Sequence, residues 1–342
     1  MGTQKGGKEL VFSGRKMNLG LGLALIWGIV SLTPALAAVQ QSRVHRVAVF
    51  LVGSPDYPTL KGLLDGLSEA GYIEGRNLIL EMAIKKSYEE LRPMAQGLRG
   101  KRPDVIVAFG ETTTALVKEA MPGVPIVFVH AIDPVGSGFI KSLAHPQTNL
   151  TGLMSYPGFE LQVKRLDLFK QLVPKLRRVA ALYNALGGLH HTKSLEVLRQ
   201  AAPALGLALV EKPVKSAAEA ERAVAALSRT TTDGVFVVCS FLFNAPFPRM
   251  ATLARERRLP LMGCTTAQVA EQGALWTYAP DIYRMGHQGA WYVDQILKGA
   301  KPQDLPVETP TKLDLAINRK TAQEIGLALP PELLILADKV FH

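Results

Sequence analysis

The sequence predicts an α/β protein with two doubly wound parallel-sheet lobes, because it contains two strand–helix–strand units. The first unit starts with the apolar run Val105–Phe109, continues through a helical segment at Thr112–Met121 and ends with the apolar run Ile126–Val129. The second unit occupies Asp233–Ala274 and has the same order. Small polar and aromatic residues follow the strands in both units, which favours a cleft for a small ligand at the strand ends.

The first predicted lobe, residues 44–155, alternates strands with helices. Its predicted elements are a strand at Arg46–Val52, a helix at Thr59–Ala70, a strand at Leu78–Ile84, a helix at Tyr88–Gly100, the first strand–helix–strand unit and a strand at Leu150–Met154. The first of these helices has leucines at helical spacing and is followed by Gly71, a typical helix stop. This alternation implies a parallel sheet covered by helices on both faces.

The second predicted lobe, residues 156–279, has the same character. Its predicted elements are a helix at Phe159–Leu172, a strand at Val179–Tyr183, a helix at Thr192–Leu205, a strand at Ala208–Pro213, a helix at Ala217–Leu227, the second unit and a strand at Leu275–Tyr278. A further helix follows within 280–300, and we expect it to return to the first lobe. Residues 301–342 form a tail that crosses the hinge, with an extended segment at Val307–Ile317 and a short helix at Lys320–Ile325.

The amino-terminal 37 residues have the pattern of a secretory signal peptide. Arg15 and Lys16 precede the uncharged apolar run Leu19–Leu32, and the sequence Ala35-Leu36-Ala37 provides a cleavage site. The apolar run is shorter than the roughly 20 residues that a membrane span needs, although an uncleaved anchor remains the alternative. We therefore expect a periplasmic or otherwise secreted protein.

The charge of the chain gives no indication of a nucleic-acid partner. The formal net charge is +10, but the basic residues are scattered over predicted helix faces and form no stripe with interleaved aromatic residues. Solvated helix surfaces account for this distribution.

The two cysteines, Cys239 and Cys264, each follow a predicted strand of the second lobe. If these strands are neighbours, their spacing of about 4.8 Å brings a disulfide within reach. Two separate, semi-buried thiols are the favoured interpretation, because neighbouring parallel strands rarely present the required Cβ geometry.

No catalytic motif is present, and we expect neither enzymatic activity nor a cofactor or metal. Glu111, Asp133 and His130 are the acid–base candidates near the strand ends, without the nucleophile–base arrangement of an enzyme. His130 follows a strand and is either a ligand contact or a capped polar residue. His190-His191 lies in a Gly-rich stretch, where a solvent-exposed loop is favoured over a metal site.

The loops after the strands carry candidate ligand contacts. Thr112, Thr113 and Thr114 follow Gly110 at a helix start, where hydroxyls and free backbone N–H groups suit a carboxylate or another acceptor-rich group. Plain N-capping is the alternative, but it needs one threonine only. The side chains that could form aromatic walls are Tyr57, Tyr156, Phe241 and Tyr278.

Several segments together resemble a known family. They are GLLDGLSEAGYIEGRN (62–77), KRPDVIVAFGETTTALV (101–117), VPIVFVHAIDPVGSGFI (124–140), NLTGL (149–153) and GALWTYAPDIYRMGHQGAWYVDQILKGAKPQDLPVE (273–308). They are similar to ABC-transporter substrate-binding proteins of the tryptophan/tyrosine-binding type, over about residues 44–328. The resemblance implies a type I periplasmic-binding-protein fold, in which two doubly wound lobes are joined by a hinge of several strands and enclose the ligand.

The resemblance also implies a set of ligand-binding residues. On the first lobe these are Ser54, Tyr57, Glu111, Thr112, Thr113 and Asp133, to which the strand-end position adds His130. On the second lobe they are Tyr156, Asn184, Ser240, Phe241, Cys264 and Thr265.

Two of these positions depart from the pattern of amino-acid-binding relatives. Ser240 stands where an acidic residue is typical, and Cys264-Thr265 stands where Ser-Asp is typical. A buried ammonium group without a carboxylate partner loses several kcal/mol in desolvation. The expected ligand is therefore a small, neutral or anionic, partly aromatic molecule.

The expected function is capture of this ligand by a monomer and its delivery to a membrane permease of an ABC importer. The mechanism would be hinge closure around the ligand. The alternative is a periplasmic sensory module for a membrane receptor, whose lobes would look the same.

Overall fold

A computed structural model describes residues 43–155 and 158–342. The predicted leader and the predicted site residue Tyr156 lie outside the described residues. The first lobe contains, in chain order, β1 (His45–Val52), α1 (Pro58–Glu69), β2 (Leu78–Lys85), α2 (Tyr88–Gly97), β3 (Val105–Phe109), α3 (Glu111–Ala120), β4 (Ile126–Ala131) and β5 (Leu150–Met154). Its strands form a five-stranded sheet in the order β2-β1-β3-β4-β5, and every neighbouring pair is parallel.

The second lobe begins after β5. It contains α4 (Glu160–Leu172), β6 (Arg178–Asn184), α5 (Gly188–Ala204), β7 (Ala208–Val214), α6 (Ala217–Ala225), β8 (Gly234–Val237), α7 (Phe247–Glu256), α8 (Thr266–Ala270) and β9 (Trp276–Ala279). The rest of the chain forms α9 (Ile282–Leu297), β10 (Asp314–Asn318), α10 (Arg319–Glu324), α11 (Pro331–Leu336) and β11 (Lys339–Phe341).

The strands of the second lobe form two three-stranded sheets. One is parallel, with the order β7-β6-β8, and the other has the order β11-β10-β9. Strand β10 is antiparallel to β9 and parallel to β11. Single bridges from Val235 to Leu261 and from Met262 to Trp276 connect the two sheets. The last part of the second predicted unit, around Leu261 and Met262, therefore forms two bridges between β8 and β9 rather than a strand.

The tail differs from its prediction in extent. Of the predicted extended segment Val307–Ile317, the structure retains Asp314–Asn318 as a strand. Pro310 interrupts the earlier part, because proline has no N–H to donate to a ladder. Strand β11 was not predicted, since its pairing with β10 is a tertiary contact.

Both lobes have apolar cores. Every residue of β3 and of β5 is buried, because helices cover both faces of a parallel sheet. In the second lobe the buried rings of Phe169, Phe236 and Trp276 lie in one cluster with the apolar residues of the neighbouring helices. None of the helices in the described ranges has the length and apolar character needed to span a membrane.

Helix α9 follows β9 of the second lobe but packs on α1 of the first lobe. Two glycines allow the helices to approach closely: a Cβ at Gly62 would collide with the carbonyl of Tyr283, and a Cβ at Gly286 with the carbonyl of Thr59. The Tyr283 hydroxyl also donates to Asp65 at 2.8 Å.

Among the described elements, the chain passes between the lobes three times: between β5 and α4, between β9 and α9, and between α9 and β10. A backbone bridge between Leu153 and Glu308 pairs β5 with the last of these connections. Several adjacent connections of this kind form a hinge about which two lobes open and close. The space between the lobes is therefore the expected position of a ligand-binding site.

Candidate functional site

A cavity lies between the two lobes, at the carboxyl ends of the strands of both sheets. Its volume is about 90 Å³ when it is measured at the centres of water-sized spheres, and one water needs roughly 10–15 Å³ on that measure. The cavity therefore has room for a compact organic molecule. A position at strand ends between two lobes is typical of ligand sites in doubly wound proteins.

Both lobes contribute to the wall of the cavity. The lining residues of the first lobe are Tyr57, Tyr88, Gly110, Glu111, Thr112, His130, Ile132 and Ser155. The lining residues of the second lobe are Arg165, Gly187, His190, His191, Cys239, Ser240, Phe241, Asn244, Cys264 and Thr265. Pro280 and Ile282, at the second connection between the lobes, complete the wall.

Most of the predicted ligand-binding residues line this cavity: they are Tyr57, Glu111, Thr112, His130, Ser240, Phe241, Cys264 and Thr265. Ser54 is exposed, and its hydroxyl accepts from the backbone N–H of Asp56. Thr113 lies on the buried side of α3, because that helix starts at Glu111 with Gly110 as its N-cap, so the threonines lie inside the helix.

Two further predicted residues, Asn184 and Asp133, do not line the cavity. Asn184 is buried, and its side-chain oxygen accepts from the N–H of Leu186 at 2.9 Å, which shapes the loop after β6. Asp133 points towards the other lobe and forms an ion pair with Lys193.

Lining residues that were not predicted as ligand contacts include Tyr88, Arg165, His190, His191 and Asn244. Tyr88 and the two histidines follow strands β2 and β6 by a few residues, so their position past a strand end was an available signal. Arg165 lies in the middle of α4, where an arginine is typical of a solvated helix face. Its burial is a tertiary property.

The carboxylate of Glu111 is engaged by the first lobe. One oxygen accepts from the backbone N–H groups of Ile132 at 3.1 Å and Asp133 at 3.2 Å, and the other accepts from the hydroxyl of Ser137. The side chain thus holds the loop that follows β4 against the start of α3.

His130 lies at an irregularity of the sheet. The pairing of β4 with β5 shifts register between Val129 and Ala131, and His130 has a φ of 70°, which is rare for a residue with a side chain. Such bulges redirect side chains near functional sites. The imidazole lines the cavity, where Thr59 Oγ1 lies 2.9 Å from Nε2. Burial lowers the pKa of His130 to about 3, so the ring is neutral at pH 7.

Phe241 of the second lobe packs against the first lobe. Its ring centroid lies 5.5 Å from that of Tyr57 and 5.7 Å from that of His130. A Cβ at Gly110 would lie 2.8 Å from the Phe241 ring, so the glycine allows this close approach. These contacts form one aromatic wall of the cavity from residues of both lobes.

The prediction of a solvent-exposed loop at His190-His191 is wrong. They are 5% and 4% exposed in the first turns of α5, because Gly188 is the first residue of that helix rather than part of an open loop. His190 Nε2 lies 3.2 Å from the carbonyl of Cys239, and the His190 ring stacks on Phe159 with centroids 6.2 Å apart.

Both of these imidazoles are neutral at pH 7. Burial lowers the pKa of His190 to about 4 and that of His191 well below its usual value. Among the described residues, no three His, Cys, Asp or Glu side chains are grouped so that they could hold a metal ion.

The expectation of two separate thiols is also wrong. Cys239 and Cys264 form a disulfide, with a Cα–Cα distance of 5.6 Å. The bridges of Val235 to Leu261 and of Met262 to Trp276 bring the two strand ends level, which supplies the geometry that sequence spacing cannot show. The disulfide lies in the cavity wall and ties together the two loops that carry Phe241 and Thr265.

Arg165 supplies a positive charge to the cavity wall. Its side chain is 1% exposed, Nε donates to the carbonyl of Tyr278 at 2.8 Å, and Nη1 lies 3.8 Å from Cys239 Sγ. An arginine side chain remains ionised at all relevant pH values.

An ion pair joins the two lobes. Lys193 Nζ of α5 lies 2.6 Å from Asp133 Oδ2 of the first lobe and 5.5 Å from the centroid of the Phe159 ring. Burial would raise the pKa of Asp133, but the hydrogen bonds from Lys193 and Gly136 outweigh burial and lower it.

Lys193→Gln is expected to shift the equilibrium towards open lobes by about 1 kcal/mol, or roughly fivefold, because a half-exposed ion pair contributes about that much. Small-angle X-ray scattering should show a larger radius of gyration for the variant. High salt should enlarge the parent protein and leave the variant unchanged.

Arg199→Gln is the matched control for Lys193→Gln. Arg199 lies on the same helix and its guanidinium forms an ion pair with Glu211 at 2.6 Å, but both partners belong to the second lobe. Equal changes in radius for the two variants would contradict a role of the Asp133–Lys193 pair in closure.

A cavity enclosed by two α/β lobes on a multi-strand hinge is the architecture of proteins that bind a small molecule by closing around it. The chain belongs to the ABC transporter substrate binding protein family, whose model matches residues 45–341. The predicted family and the type I periplasmic-binding-protein fold are therefore confirmed. Members of this family are extracytoplasmic solute-binding proteins rather than enzymes, which also confirms the expectation that the chain is not an enzyme.

Three similar proteins are informative. A tyrosine-binding protein of Clostridioides difficile (strain R20291) is 24% identical over 280 residues, which are 80% of this chain and 79% of that protein. A conserved domain protein of Vibrio cholerae has a TM-score of 0.79 at 28% identity and covers 87% of this chain and 99% of its own. An ABC domain from Streptococcus pneumonia in complex with L-Trp has a TM-score of 0.78 at 26% identity and covers 88% and 100%.

Proposed function

We propose that this protein captures a small, neutral or anionic, partly aromatic molecule between its lobes outside the cytoplasm and delivers it to the permease of an ABC importer. The observation that carries the proposal is the cavity itself, whose wall is shared by two lobes. Ligand in such a cavity contacts both lobes at once and therefore stabilises the closed arrangement over the open one. The permease would recognise that arrangement.

The aromatic character of the ligand is supported by two observations. Tyr57, Tyr88 and Phe241 line the cavity, and aromatic rings favour stacked or edge-on contacts with another ring. The Clostridioides difficile relative is described as tyrosine-binding and the Streptococcus pneumonia structure holds L-Trp. The expected leader at residues 1–37 supports an extracytoplasmic location and agrees with the family.

A thermal-shift screen tests the proposal. The compounds are aromatic amino acids, deaminated aromatic acids, nucleobases and small amides. A ligand at 100 times its dissociation constant should stabilise the protein by about 2.7 kcal/mol. Thr112→Trp should abolish the shift by filling the cavity, whereas Thr192→Trp, at an exposed position of α5, should retain it. Equal shifts in both variants would place binding outside the cavity.

Delivery is tested by uptake of the labelled ligand into cells with and without the protein. Loss of uptake without the protein supports transport. Unchanged uptake, together with ligand binding in the cavity, would contradict delivery and favour the sensory module.

A further inference from the structure

The charges in the cavity wall restrict the ligand. Among the described lining residues, the charged side chains at pH 7 are Glu111 and Arg165. The three histidines of the wall are neutral, because burial lowers their pKa values. One carboxylate and one guanidinium therefore decide which ionised ligand the cavity accepts.

The two charges are not equivalent. Both oxygens of Glu111 already accept hydrogen bonds from its own lobe, from Ile132, Asp133 and Ser137. Three donors of this kind disperse the negative charge of a carboxylate and occupy most of its acceptor positions. Few acceptor positions therefore remain for a ligand ammonium group.

Arg165 carries a permanent positive charge at 1% exposure. Guanidinium groups bind carboxylates through paired N–H donors, and such a pair is stronger in a site from which water is excluded. The backbone carbonyl of Tyr278 orients the side chain through Nε. A cavity with these two side chains favours an anion over a cation.

We propose that the physiological ligand is an aromatic carboxylate without an α-ammonium group, whose carboxylate pairs with Arg165 and whose ring lies against Tyr57 and Phe241. This inference rests on the proposed function, since it names the ligand class of the same cavity. It departs from the amino acids named for the two relatives, because Glu111 already accepts three hydrogen bonds and no other described lining residue carries a carboxylate.

Isothermal titration calorimetry with two compound triads tests the proposal on the protein purified from cells that express the full chain. One triad is indole-3-propionate, L-tryptophan and tryptamine, and the other is 3-(4-hydroxyphenyl)propionate, L-tyrosine and tyramine. Within a triad the ring is constant and the ionised groups change. We expect the acid to bind at least about 10-fold more tightly than the amino acid, whose ammonium would be buried without a partner. The amine should bind on the order of 100-fold more weakly than the acid.

A variant series tests the role of Arg165. The primary amide of the preferred acid has the same shape without the charge, so the parent protein should prefer the acid by about 10-fold. Arg165→Met should remove that preference, while Arg199→Met, which removes an arginine away from the cavity, should retain it. A ratio of two affinities measured on one protein does not change merely because the variant is less stable.

The outcomes separate this inference from the proposed function. An amino acid or amine that binds as tightly as its acid would overturn the ligand class and leave the binding function intact. The same holds if both triads fail and another compound of the screen binds in the cavity. If no compound of the screen and neither triad binds, both proposals are wrong.

Discussion

Acidification from pH 7 to pH 5 is expected to lower the free energy of unfolding by about 4 kcal/mol through His130 and His190 alone. Both imidazoles are buried, and burial lowers their pKa values to about 3 and about 4. In the unfolded chain the same groups titrate near pH 6.5. Between these pKa values, the unfolded state therefore binds protons that the folded state does not bind.

The pH window follows from these pKa values. Above about pH 6.5 both states are neutral at these positions and stability does not depend on them. As the pH falls below 6.5, each histidine lowers the free energy of unfolding by up to about 1.4 kcal/mol per pH unit. The decline ends near the folded pKa values, where the folded state is protonated as well. His191 adds to the loss in the same direction.

Urea unfolding at pH 7, 6, 5 and 4 measures this slope. His130→Gln should reduce the slope below pH 6 by about 1.4 kcal/mol per pH unit, because one titrating group is removed. His145→Gln is the matched control, since His145 is exposed. If both variants change the slope equally, the buried imidazoles are not the cause.

Removal of the disulfide is expected to lower the free energy of unfolding by about 3 kcal/mol. The two cysteines are 25 residues apart, and a cross-link over such a loop stabilises the fold mainly by restricting the unfolded chain. The enclosed loop contains α7 and both cavity-lining segments that flank it, so the double variant Cys239→Ser/Cys264→Ser should also bind ligand more weakly.

Chemical unfolding of the parent protein and of this double variant, with and without dithiothreitol, tests the expectation. The reductant should destabilise the parent to the level of the variant and leave the variant unchanged. Equal stability of the oxidised parent and the variant would show that the disulfide does not stabilise the fold. A ligand affinity unchanged in the double variant would show that the two loops keep their positions without the cross-link.

Much of the fold could be predicted from the sequence, because its signals are local. Apolar runs such as Val105–Phe109 are long enough for strands and too short for helices, and leucine spacing in 59–70 is helical. Strands that alternate with helices leave a parallel sheet as the expected arrangement. The carboxyl ends of such strands lie at one edge, which is why Tyr57, Glu111 and Phe241 were expected near one another and line one cavity.

The remainder depended on contacts between distant parts of the chain. The local sequence at Gly187-Gly188 is typical of a flexible loop. In the folded protein Cys239 and Phe159 pack on His190, and the two histidines are buried in a helix. Arg165 has the local pattern of a solvated residue. In the folded protein its side chain is buried, and Nε donates to the carbonyl of Tyr278, 113 positions later in the chain.

The order of strands and helices, the two-lobed class and the strand ends where a ligand would bind follow from local sequence patterns, since each depends on neighbours within a few residues. Long-range packing joins Cys239 to Cys264, keeps three imidazoles neutral, gives Glu111 its hydrogen bonds and brings Arg165 to the cavity wall. Burial, hydrogen bonds and ion pairs determine the charge that a side chain carries. Both are properties of the packed molecule and not of any short segment.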